Sequence, residues 1–275
     1  MKRLLYVAVV YNNVEETRDM CCSLLRQTPG NYEISLVLVD NSDARLVQLE
    51  IDKMATDFAF VSILRPNKNL GYFPAISEAL SLYALDYDVV IAGNNDLKYA
   101  EDFSFTLSNA TYEDDVMVVC PDVVTADGFH QNPHHKFRLN LLEKIYFDIY
   151  FSHYICSVVV GKLKKTISFF AKLFKHSTLS IRGEGISQEI DQGVGAVYVF
   201  RRRFLVDIDC KLHYPGFLYG EEACLSWQVR SNGGKIWYDP SLKVWHAESA
   251  SLSKVNKATT YCYGRDSYWK IRDLL

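Results

Sequence analysis

The chain has 275 residues, of which 49% are hydrophobic and 23% charged, enough apolar material for one large core or a core with a small subdomain. A formal net charge of −3 gives no general reason to expect nucleic acid as a partner.

The N-terminal run Leu4 to Val10 is too short for a secretory signal and leads into Tyr11-Asn12-Asn13 without a small-residue cleavage site. It reads as a first buried strand. Asn12 or Asn13 is then placed to cap a helix with Glu15 and Glu16 in its first turn and Met20, Leu24 and Leu25 on its buried face, ended by Pro29-Gly30-Asn31. Ile34 to Val39 is a second strand, stopping at Asp40-Asn41-Ser42-Asp43. Val61 to Leu64 is a short third strand. A helix over about 74–85 follows, with Pro74 suited to its first turn. Val89 to Ala92 is a fourth strand that breaks at Gly93 and ends in Asn94-Asn95-Asp96. This alternation predicts an α/β fold with a mostly parallel central sheet flanked by helices.

Three strand ends therefore carry polar groups: Tyr11-Asn12-Asn13, Asp40 to Asp43, and Asn94-Asn95-Asp96. In a parallel sheet they share the edge where open α/β folds bind ligands. Each cluster alone is equally compatible with a simple turn. No G-x-G-x-x-G follows the first strand and no Walker loop occurs, which disfavours a dinucleotide dehydrogenase and a P-loop phosphotransferase. A sugar nucleotidyltransferase would also carry a glycine-rich loop there.

Val116 to Val119 reads as another strand. His130, His134 and His135 lie in a polar loop, which is favoured over a three-histidine metal site. Residues 139–190 form a helical, partly basic insert, aromatic and aliphatic at first, then lysine-rich. Over 161–175, Ile167, Phe170, Ala171 and Phe174 fit one helical face among Lys162, Lys164, Lys165, Lys172 and Lys175. This suits either an anionic membrane surface or a helical hairpin packed on the domain or on a second copy. Arg182-Gly183-Glu184-Gly185 reads as a mobile loop.

Gly193-Val194-Gly195 precedes a strand rich in Val, Tyr and Phe, its glycines suiting close backbone approach or a bend. Glu221-Glu222 opens a helix that carries Leu225 and Val229 and closes at Gly233-Gly234. The pair is explained by the helix dipole or by catalysis. Residues 235–239 and 242–246 read as two strands joined by a turn, the second ending at His246. The seven cysteines show no Cys-x-x-Cys spacing. A zinc site is thus unsupported, and free thiols in a reducing cytoplasm are expected.

The ordered set Val9-Val10-Tyr11-Asn12, Val39-Asp40-Asn41-Ser42, Asn69-Leu70-Gly71-Tyr72, Asn94-Asn95-Asp96, Phe217 to Trp227, Trp245-His246 and Tyr261 to Asp266 resembles the family 2 glycosyltransferases of GT-A (nucleotide-diphospho-sugar transferase) fold. Within that family it is most similar to bacterial rhamnosyltransferase-type enzymes of O-antigen and capsule assembly. The likeness spans about 4–269, omitting the insert. It implies a nucleotide-sugar-binding half at 1–138 and an acceptor and catalytic half at 191–275.

The resemblance also implies roles. Tyr11, Asn12, Asp40, Asn69, Gly71, Tyr72, Asn94, Asn95 and Arg265 would bind the donor. Asp40 would accept the N3–H of uracil or thymine, so UDP- or dTDP-sugars are favoured over GDP-sugars. Asp96 and His246 would hold Mg²⁺ or Mn²⁺. Glu222 would be the general base for an inverting transfer, with Glu221 as competitor. The acceptor would be a glycan or lipid-linked saccharide, and the location the cytoplasm, at the inner face of the plasma membrane if 161–175 binds lipid. The chain departs from the family pattern in lacking the first metal-motif acid, in carrying Glu for Asp at the base, and in Ser77, where relatives often have Asn. The competing reading is a non-catalytic nucleotide-sugar or glycan-binding module derived from such a transferase.

Overall fold

The computed structural model describes residues 1–160, 185–248 and 257–275. The lysine-rich stretch 161–175 and Arg182-Gly183-Glu184 lie outside the described residues.

Among the described residues the strands are β1 (Lys2–Val10), β2 (Tyr32–Asp40), β3 (Val61–Leu64), β4 (Val89–Asn94), β5 (Leu97–Tyr99), β6 (Val116–Thr125), β7 (Gln188–Ile190), β8 (Val197–Arg201) and β9 (Lys235–His246). They form one sheet in the order β3-β2-β1-β4-β8-β6-β9-β5, with β7 also paired to β9. The first four strands are parallel, as the strand–helix alternation predicts. From β8 onward the sheet is mixed, since β8 runs antiparallel to both β4 and β6, whereas β6 and β9 are parallel.

Both faces of the sheet are covered, and β1 shows why its sequence is almost continuously apolar. Leu4, Tyr6, Ala8 and Val10 pack with Met20 and Leu24 of α1 (Glu15–Leu25), Ile51 and Met54 of α2 (Arg45–Asp57), and Phe103 of α4 (Phe103–Asn109). Leu5 and Val7 join the opposite core, with Phe73, Ile76 and Leu80 of α3 (Phe73–Tyr83) and Leu225 and Val229 of the later glutamate helix. The period of two puts successive residues of one strand into different cores.

Three expectations are corrected. The first helix has Val14 at its N-cap and no side-chain cap. Asn12 instead adopts a left-handed φ of 51° and bonds into the 42–44 loop. Residues 235–246 form one strand, not two, with a register shift between Pro121 and Asp122 that absorbs Pro240-Ser241-Leu242 as a bulge. The end of the expected insert belongs to the sheet, because Gln188–Ile190 is β7.

The insert begins as α5 (Leu141–Ser152), capped by a reciprocal Asn140–Glu143 pair. A short helix, α6 (Arg202–Asp207), follows β8. Then come α7 (Glu221–Ser231) and the C-terminal α8 (Lys257–Ile271). Asp148 of α5 ties it to α8 and the turn beyond, accepting from Arg272 at 2.6 Å on each oxygen and from the Tyr268 hydroxyl at 2.6 Å. No helix among the described residues is long and apolar enough to cross a membrane.

Candidate functional site

The parallel register brings the polar strand ends to one edge. Val10 stands opposite Asp40, and Val9 opposite Asn94. At the end of β2, Asp40 is 1% exposed. Its Oδ2 accepts from Arg65 Nε at 2.9 Å and Nη2 at 2.7 Å, and its Oδ1 from the Ser42 amide at 3.0 Å. Arg65 also reaches Asp52 at 2.9 Å. Asn41, beside Asp40, binds the Gly71 carbonyl at 2.9 Å and accepts from the Leu70 amide. Asn69 Oδ1 accepts from the Gly71 amide at 2.8 Å. Asn41 thus clamps the 69–72 turn to the sheet edge. Tyr11 and Asn12 both donate to Asp43, and the Asn12 amide donates to Ser42 Oγ at 2.9 Å. Arg65, Asn41, Ser42 and Asp43 were not among the expected site residues, although Asn41 to Asp43 lie in the recognised turn.

The residues of the Asn94-Asn95-Asp96 turn are not equivalent. The Asn95 side chain turns inward, donating to Thr17 Oγ1 at 2.6 Å, and so ties β4 to α1. Asp96, 7% exposed, places Oδ1 3.2 Å from His246 Nε2 at the end of β9. Asn94 Nδ2 is 3.4 Å from the same nitrogen. His246 reaches Asp96 because β5 pairs antiparallel to β9, with Leu97 opposite His246. Among the described residues no group of three or more His, Cys, Asp or Glu side chains could hold a metal. Asp96 and His246 bring a carboxylate oxygen and an imidazole nitrogen to 3.2 Å of each other. They fit a divalent cation that takes its other ligands from phosphate and water. In the polar loop, His130 Nδ1 pairs with Asp122 at 2.7 Å, and His134 stacks edge-on against His135.

The carboxylate pair approaches from the other side. Gly93 lets β4 meet β8 closely: a Cβ there would stand 2.4 Å from the Ala196 carbonyl oxygen. The Asn94 amide donates to that carbonyl at 2.8 Å. One residue earlier, the Gly195 amide donates to Glu222 Oε1 at 3.2 Å, and the Gly195 carbonyl accepts the Tyr72 hydroxyl at 2.6 Å. Tyr72, 123 residues before Gly195 in the chain, and Glu222, 27 residues after it, thereby meet through one glycine.

The electrostatics agree with this geometry. Burial raises the Tyr72 hydroxyl well above the usual phenol range, and the charges of Glu221, Glu222 and Asp96 add to it. Burial also raises Glu222, against hydrogen bonds from nearby backbone and the proximity of His135. Glu221, 6% exposed, is pushed up to about 8 by burial and by Glu222. It faces Tyr214, while Glu222 retains an opening to solvent. Arg265 is exposed on α8, and among the described residues no hydrogen bond or ion pair joins it to Asp96, His246 or either glutamate.

No protein-family model matches the chain, and no curated protein sequence matches it. Solved structures do. GalNAc-T7 with UDP, GalNAc and Mn²⁺ is 16% identical with a TM-score of 0.59, over 90% of this chain and 44% of that one. TarS of S. aureus is 16% identical with a TM-score of 0.55, over 90% and 37%. The mannosyltransferase PcManGT of Pyrobaculum calidifontis, in complex with GDP-Man and Mn²⁺, is 12% identical with a TM-score of 0.55, over 99% and 61%. The chain spans less than two thirds of each of these proteins. The likeness shows the fold: a GT-A glycosyltransferase fold, with a curled mixed sheet flanked by helices.

Proposed function

We propose that the chain is a metal-dependent inverting glycosyltransferase. It moves a sugar from a nucleotide-diphospho-sugar to a hydroxyl of a glycan. A lipid-linked saccharide in bacterial surface polysaccharide assembly, of the rhamnosyltransferase type, is the acceptor class its motifs resemble. One observation carries the reading: Glu222 and the Asp96–His246 pair lie on the same sheet edge, with Tyr72 within the field of both.

Glu222 is the base. The Gly195 amide holds one carboxylate oxygen, and the other is left to take a proton from the acceptor hydroxyl. As that oxygen bonds to the anomeric carbon, the bond to the diphosphate breaks and the electron pair leaves with phosphate, inverting the centre. A divalent cation bound by Asp96 and His246 would offset the charge developing on that leaving group. Glu221, held inward, supports the helix end without touching substrate. In the donor half, Asp40 is the residue that the motif resemblance pairs with the N3–H of uracil or thymine, and its buried carboxylate is held by Arg65 and the Ser42 amide. The loops of Tyr11, Asn12, Asn69, Gly71 and Asn94 line that edge.

Membrane association is supported by α5, which buries none of its residues and exposes Leu141, Leu142, Ile145 and Ile149 beside Phe137. The sequence that follows, 161–175, carries five lysines and no acid. Anionic liposomes should sediment the protein and fail to sediment a charge-reversal variant of Lys162, Lys164, Lys165 and Lys172. For the reaction, transfer from a panel of nucleotide sugars should require Mn²⁺ or Mg²⁺. Glu222→Gln should lose turnover by at least about 10²-fold while keeping donor affinity. Donor binding without metal enhancement, and no transfer to any acceptor, would instead identify a binding module.

A further inference from the structure

The side chain of Gln131 lies between His246 and Glu248, outside the expected site. Its two ends meet different partners. Nε2 is 2.8 Å from Glu248 Oε1, and Oε1 is 2.9 Å from His246 Nδ1. A carboxylate only accepts, so Glu248 sets which end of the amide faces it. The oxygen end must then face the ring, and it too only accepts. His246 Nδ1 therefore carries the hydrogen, and in the neutral ring Nε2 is left with its lone pair.

Nε2 has two polar neighbours in the turn that ends β4. Nε2 is 3.2 Å from Asp96 Oδ1, and Asn94 Nδ2 approaches the same nitrogen from the donor side at 3.4 Å. Two electron-rich atoms are held together in a site that a positive charge would stabilise. The supporting groups are anchored independently of the ring. The Gln131 amide donates to the Val123 carbonyl at 2.8 Å, the Ala247 amide to the Asp96 carbonyl at 3.0 Å, and Glu248 follows with a left-handed φ of 49°.

We propose that Gln131, oriented by Glu248, is a positioning residue that fixes His246 as the Nδ1–H tautomer and turns its Nε2 lone pair towards Asp96 for a divalent cation. This rests on reading Asp96 and His246 as a metal pair. Outer hydrogen bonds of this kind set the tautomer and basicity of ligating imidazoles, and losing one weakens metal binding by roughly 10–100-fold.

Two measurements on wild type, Gln131→Leu, Gln131→Glu and Asp96→Asn test it. The first is the long-range ¹H–¹⁵N spectrum of the His246 ring without metal, at a pH where the ring is neutral. Wild type and Gln131→Glu should carry the proton on Nδ1. Gln131→Leu, which removes the acceptor, should move it to Nε2, facing Asp96. The second is Mn²⁺ affinity by electron paramagnetic resonance in the presence of UDP. Gln131→Leu should bind about 10–100-fold more weakly and Gln131→Glu close to wild type. A Gln131→Leu protein that keeps the proton on Nδ1, or binds Mn²⁺ as wild type does, overturns the proposal. If wild type and Asp96→Asn bind Mn²⁺ equally, the metal reading itself fails, and the ring spectrum alone then upholds or overturns the tautomer assignment.

Discussion

Glu222 Oε1 lies 3.2 Å from the Gly195 amide nitrogen, and a Cβ at Gly195 would stand 2.8 Å from that same oxygen. The carboxylate is positioned by a backbone donor that only glycine leaves accessible. Gly195→Ala should therefore displace Glu222 while sparing the core. The expected result is a fall in kcat of about 10²-fold, the usual consequence of misplacing a reacting group by about 1 Å. Donor affinity should be nearly unchanged. Equal kcat in the variant would show that this contact does not place the base.

The pH profile follows from the same residue. Burial raises Glu222, and a general base acts only when ionised. Activity should be lost as pH falls through this raised pKa. The acidic limb of kcat/KM should therefore lie above the usual carboxylate range. A limb at or below that range would assign it to another group.

Glu221 makes a prediction of opposite character. Its folded pKa is raised to about 8, above its value in an unfolded chain, so the folded state holds the extra proton between the two values. Stability should fall as pH rises from the ordinary carboxylate range through about 8, with the full penalty present above that. Glu221→Gln removes the penalty. Its Tm should exceed that of wild type by more at about pH 9 than at about pH 5, through a difference of a few kcal/mol at most. A pH-independent difference would refute the assignment.

Arg65 places two donors on one oxygen of a carboxylate that is itself fully buried. Arg65→Met would leave Asp40 buried without its counter-charge, at a cost of about 3 kcal/mol by urea unfolding. Arg65→Met combined with Asp40→Leu should recover much of that loss, because the pair is then removed together. Additive losses in the double variant would mean that the two residues act independently.

Arg272 and Tyr268 hold Asp148 well below the usual carboxylate range, at about 2, mainly through their hydrogen bonds. This stabilising link is present above the unfolded carboxylate pKa and is lost as pH falls through about 2. Asp148→Asn should loosen α5 at neutral pH. Faster amide exchange over 141–152 with unchanged exchange in β1 and β4 is the expected signature, and uniform protection would count against it.

The sequence carried the parts of the fold that depend on local periodicity. Apolar runs ending in Asn and Asp clusters identified β1, β2 and β4 and their shared edge. Pro74, suited to a first helical turn, marked the start of α3. The sequence was silent where pairing is non-local. Strands β5 and β7 have three residues each, too few to show alternation, and exist because β9 offers both of them an edge. Helix α2 also went unpredicted, although Ile51 and Met54 sit three apart on its buried side.

At the site, the sequence alone determined which residue types stand at the strand ends and at one helix start: Asp40, Asp96 and His246, and the Glu221-Glu222 pair. Only the tertiary structure decided what each can do. It turned Asn95 inward to Thr17, gave Asp40 to Arg65, set one of the adjacent glutamates against Tyr214 and the other against the Gly195 amide, and placed Gln131 behind His246. The reason is physical. Residue identity sets the chemistry a side chain offers, whereas charge state, tautomer and direction depend on neighbours at hydrogen-bond distance, and those of Asp40, Asn95 and His246 lie 25, 78 and 115 residues away along the chain.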